Sequence, residues 1–105
     1  MKNKILPHEH DASHDLANLE TALFQVSRFE TVADIFKQLS DTTRIRIFWL
    51  LCHTEQCVIN ISALLDMSSP AVSHHLRALR SCDLIVSRRE GKEVYYKAAD
   101  NSQAR

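Results

Sequence analysis

From Asn60 to Lys97 the apolar positions change their period twice. Ile61, Leu64 and Leu65 fall at i, i+3 and i+4, one face of a short helix. Met67, Ser68 and Ser69 interrupt the pattern, and Pro70 follows. Proline suits a first helical turn, where its missing N–H costs nothing, and Ser69 is expected to cap that turn. Val72, Leu76 and Leu79 then recur at i, i+4 and i+7, which predicts a second helix with one narrow inward stripe. Ile85-Val86-Ser87-Arg88-Arg89 and Glu93-Val94-Tyr95-Tyr96-Lys97 are β-prone runs joined through Glu90-Gly91-Lys92. Gly91 is the only glycine in the chain and lies where such a turn needs positive φ. The expected order is helix, turn, helix, hairpin.

Upstream the period is helical again. Leu16, Leu19, Leu23 and either Phe24 or Val26 mark one face, continued by Phe29, Val32, Ala33 and Phe36. This predicts one long helix or two abutting ones, ending near Leu39. The apolar face exceeds what a helix of so small a monomer needs, so a homodimer interface is expected. Asp41 is a suitable N-cap for a helix from Thr42 to about Cys52. That helix is apolar nearly all round, which predicts a central buried element with Trp49 in the core. Arg44 and Arg46 flank it, either touching phosphates or solvated. Asp100 and Gln103 have the spacing of a capping box. The domain reading is a flexible His-rich arm over 1–15, a winged helix-turn-helix over 16–100, and the start of a truncated C-terminal helix over 101–105. The fold class is mainly α with a small β-hairpin, dimeric.

Charge changes the picture more than composition does. The chain of 105 residues is 45% hydrophobic, enough for one domain with a core, and its net charge is zero. Residues 1–43 hold four Lys/Arg against seven Asp/Glu, whereas residues 68–97 hold six against three. Positive charge therefore collects on the second helix and the hairpin. The second helix presents Ser68, Ser69, Ser73, His74 and Arg77, residue types that can meet base edges in a major groove. Arg88, Arg89 and Lys92 surround the hairpin tip, suited to phosphate contact. The competing view of the helix alone is an ordinary basic surface; the hairpin tips the balance toward double-stranded DNA. For His74 a base or phosphate contact competes with simple exposure, and His75 lies nearer the buried stripe.

Other classes fit poorly. The start carries no sustained apolar run, and nothing approaches the roughly 18 residues of a membrane span, so a cytoplasmic location without membrane contact is expected. Three cysteines form no disulfide framework. No glycine-rich phosphate loop is present, and His10 and His14 lack the intervening Glu of a metalloprotease helix, so no enzyme is expected.

The stretch from about Phe36 to Lys97 resembles the ArsR/SmtB metal-sensing repressors. The matching pieces are Lys37 to Ile47, Glu55-Gln56-Cys57-Val58, Ser73-His74-His75-Leu76 and Gly91 to Tyr96. The resemblance implies a dimeric repressor that leaves its operator when an inducer, usually a metal ion, binds. It also implies an N-terminal metal site in which two ligands spaced like His10 and His14 join a cysteine at the position of Cys57. Where an aspartate often completes the set, Asn60 stands here, leaving His8, Asp11, Cys52 or a water. Two imidazoles and one thiolate suit zinc or cobalt; cadmium and lead prefer more thiolate. Ile59 replaces the second cysteine of the arsenic- and lead-type pattern. A C-terminal metal site is not expected, because Ser102 stands where a His would be needed. Two other readings stay open: a thiol or persulfide sensor using Cys52 and Cys57, and a winged-helix protein-interaction module. The bland alternative is an idle acidic tail and a Cys57 that simply packs. Cys82 reads as packing.

Overall fold

A computed structural model describes residues 7–8 and 16–100. The elements are α1 (Leu16–Leu23), α2 (Val26–Gln38), α3 (Thr42–His53), β1 (Gln56–Cys57), α4 (Val58–Leu65), α5 (Ser69–Ser81), β2 (Ile85–Glu90) and β3 (Glu93–Ala98). The chain divides into two compact units, one up to Ala33 and one from Asp34 onward. The first periodic stretch is thus two abutting helices. Neither α1 nor α2 buries a residue.

The second unit holds the core. Ile47 and Leu51 from α3, Ile61 from α4, Val72, Leu76 and Leu79 from α5, and Ile85 from β2 form one buried cluster. Leu39, Phe48, Leu50, Val58, Leu65, Met67, Leu84 and Tyr96 pack around it. The Asp41 carboxylate caps α3 by accepting the Arg44 N–H at 2.9 Å. That bond to a backbone donor holds the Asp41 carboxyl below its usual range.

Two expectations about burial fail for one reason. Trp49 is 64% exposed and Leu64 62% exposed. On α3 only Ile47 and Leu51 are fully buried, and on the eight-residue α4 only Ile61 is. Trp49 instead packs against His53, the two rings tilted by 50° with centroids 4.4 Å apart. Apolar residues all round a helix do not place every one of them in a core this small.

The sheet has three antiparallel strands in the order β1-β3-β2. β1 is short, pairing Gln56 with Tyr96 and Cys57 with Tyr95. The hairpin register closes on Glu90 opposite Glu93, leaving Gly91 and Lys92 as a two-residue loop. Gly91 takes φ 62 at the first loop position, where glycine has no Cβ penalty.

Candidate nucleic-acid interface

The turn between α4 and α5 is fixed by short-range chemistry. Asp66 ends α4 in the left-handed region with φ 54, and Met67 N–H closes back onto the Ser62 carbonyl at 3.0 Å. Ser68, rather than Ser69, caps α5, its hydroxyl accepting the Ala71 N–H at 3.3 Å. Ser69 is the first residue of the helix, and its hydroxyl lies 3.2 Å from that of Ser62 across the turn. The cap falls one residue earlier because Pro70 tolerates either of the first two helical positions.

Complete burial of Val72, Leu76 and Leu79 sets the rotation of α5. Ser68, Ser69, His74 and Arg77 are then exposed, and Ser73 is half-buried. Arg80, not singled out from the sequence, is exposed three residues after Arg77, one turn further along the same helix. The outward surface of α5 therefore carries hydroxyls at its start and cations further along.

The three cations of the hairpin do not share one environment. Arg88 is engaged: Nε donates to Glu55 Oε2 at 2.9 Å and Nη2 to Glu55 Oε1 at 2.7 Å. Nη1 donates to Glu90, and the guanidinium lies 4.8 Å from the centroid of the Tyr95 ring. Arg88 holds the Glu55 carboxyl below its ordinary range through these bonds. Glu55 immediately precedes β1, so this pair straps the approach to Cys57 onto the hairpin. Arg89 reaches only the Gly91 carbonyl, at 3.5 Å, and Lys92 is exposed at the tip.

Arg44 is neither solvated nor outward. Its Nε donates to His75 Nδ1 at 3.1 Å and its Nη1 to the Gln38 carbonyl at 3.3 Å and to Gln38 Oε1. Burial pushes the His75 pKa below its ordinary value.

Of the candidate effector residues, Cys57 is buried in β1, Cys52 is exposed near the end of α3, and Cys82 is half-buried; all three are free thiols. His10 and His14 lie outside the described residues, as do residues 101–105. Among the described residues no three His, Cys, Asp or Glu side chains come together as a metal site. No helix among them is long and apolar enough to cross a membrane.

A helix-turn-helix on a three-helix core, flanked by a hairpin with a cationic loop, defines the winged helix-turn-helix class. The family model for bacterial regulatory proteins of the arsR family matches residues 41–87. A solved homodimeric winged helix-turn-helix DNA-binding domain from Mycobacterium bovis, described as a possible ArsR-family transcriptional regulator, superposes with a TM-score of 0.70 at 32% identity. That match covers 77% of this chain and 75% of the other. A transcriptional repressor SmtB homolog from Synechocystis is 37% identical over 79% of this chain and 63% of its own length. A cadmium resistance transcriptional regulatory protein CadC homolog from Staphylococcus aureus is 41% identical over 66% and 58%. The chain belongs to the ArsR family of DNA-binding regulators, which are not enzymes. It spans about three-fifths of the length of the two curated relatives.

Proposed function

We propose that this protein is a sequence-specific, homodimeric repressor that leaves its operator when a divalent metal ion binds, zinc being the favoured ion. The carrying observation is α5: three buried residues fix its rotation, and its exposed side presents Ser68, Ser69, His74 and Arg77. Arg77 pairs with guanine edges, the hydroxyls accept or donate to any base, and Arg89 and Lys92 meet the adjacent phosphates. Arg88, already neutralised by Glu55 and Glu90, shapes the wing rather than contacting phosphate. Dimerisation is supported by the unburied apolar faces of α1 and α2 and by the homodimeric relative.

A metal effector is supported by the name of the cadmium resistance relative and by donor chemistry. The described residues do not assemble a site on their own. The set we propose is therefore His10, His14 and Cys57, with Cys52 as a further thiolate, a nitrogen- and sulfur-rich set that suits zinc. An effector can release DNA only through different affinities for the DNA-competent and incompetent states. A thiol reading draws on the exposure of Cys52.

The test is fluorescence anisotropy with duplex DNA from upstream of the protein's own gene. Tight binding of reduced protein that zinc reverses and chelator restores supports the proposal. Zinc release should vanish in a His10→Ala, Cys57→Ser double variant. Release by oxidant alone, with zinc inert, would replace the metal reading with the thiol one.

A further inference from the structure

We infer that His75 is a positioning residue for DNA reading, holding α5 through Arg44 only while its imidazole is neutral. The inference rests on the proposed role of α5 and concerns how that helix is held. Arg44 Nε donates to His75 Nδ1 at 3.1 Å. A guanidinium has donors only and stays protonated, so Nδ1 must offer a lone pair and the ring proton must sit on Nε2. The same guanidinium donates to the carbonyl and the side chain of Gln38. The Arg44 backbone N–H, in turn, is fixed by Asp41. One side chain thus joins the end of α2 and the start of α3 to α5, at the residue beside the outward His74.

A second proton on His75 puts an N–H where the acceptor stood and a positive charge against the guanidinium. The link cannot form in that state. Val72, Leu76 and Leu79 still hold α5 in the core, so the helix stays folded but loses the tether next to its reading residues. The groups facing His75 are Asp41 and Arg44 from α3 and His74 from its own helix. Asp41 favours the proton, while Arg44, His74 and above all burial oppose it, placing the change below pH 6.5.

The experiment measures anisotropy of the full chain, with chelator present, on the upstream duplex and a scrambled one at pH 7.5 and 5.5. The wild type is expected to lose specific affinity at the lower pH, by no more than about tenfold per protomer because burial lowers the His75 pKa. His75→Asn, whose Oδ1 takes the place of Nδ1 and accepts from Arg44 but does not titrate, should bind normally at pH 7.5 and keep that affinity at 5.5. Nitrogen NMR of the ring should show the Nε2–H tautomer at pH 7.5. A His75→Asn profile as pH-dependent as the wild type, or an Nδ1–H tautomer, would overturn the inference. Absence of specific binding at both pH values overturns the DNA-reading role itself, and the tautomer then distinguishes that failure from failure of the link.

Discussion

Two regions of this chain carry strong apolar helical faces and use them in opposite ways. From α3 to β2 the faces close on one another, with Ile47, Ile61, Val72 and Leu79 fully buried. In α1 and α2 they do not: Leu23 is 67% exposed and Phe36 is 70% exposed. A contiguous exposed apolar surface on a small domain marks an interaction site rather than a defect. The first region completes a fold within one copy. The second has the surface of an element that is finished by another copy, and the proposed dimer follows from that contrast.

The largest effect should come from opening the closed core. Leu76→Ala or Leu79→Ala is expected to cost about 3 kcal/mol in denaturant unfolding, through lost burial plus a cavity. Phe29→Glu in α2 should do the reverse: it should shift sedimentation from dimer toward monomer while leaving the core packing of the second unit intact. Equal destabilisation by both substitutions would erase the distinction between the regions.

Next in size is the reading surface. Arg77→Ala should lose about 1–3 kcal/mol of affinity for the specific duplex and relax its base preference. Lys92→Ala should weaken all duplexes alike and lower the salt slope by about two, one contact from each protomer of the dimer. Titrations at several salt concentrations separate the two behaviours.

Caps come third. Ser68→Ala should lower stability by about 1 kcal/mol in thermal melts, because the Ala71 N–H loses its acceptor, and Ser69→Ala should cost less. The smallest effect belongs to the exposed strap. Arg88 holds the folded-state pKa of Glu55 below the ordinary value of 4.5, so its contribution is present above that pH and fades as pH falls through the lowered value. Glu55→Gln should remove that acid dependence and speed amide exchange at β1 with little change in melting temperature.

What the sequence disclosed was local. The stripe of Val72, Leu76 and Leu79, the Asp41 cap and the glycine at the hairpin tip are spacing rules within a few residues, and each has the role its spacing implies. The misread positions needed tertiary context. Trp49 and Leu64 depend on which neighbours an all-apolar helix finds. The partners of Arg88 and Arg44, Glu55 and His75, lie 33 and 31 positions away, beyond any periodicity. Arg88 reads as a phosphate contact from its place near the tip, and its pairing with Glu55 and Glu90 emerges only in the fold, although Glu90 two residues on is a legible hint. The candidate site is visible in the sequence as a distribution of charge; its internal wiring is not.

The account stands most directly on whether α5 and the wing divide the work of reading DNA. The measurement is the salt dependence of affinity for the upstream duplex and a scrambled duplex, compared across wild type, Arg77→Ala and an Arg89→Ala, Lys92→Ala double variant. The account predicts that Arg77→Ala narrows the gap between the two duplexes, while the double variant, which removes two cations from each protomer of the dimer, lowers both affinities equally and flattens the salt slope by about four. Losses that are the same on both duplexes for all variants, or no preference for the upstream duplex in the wild type, would contradict it.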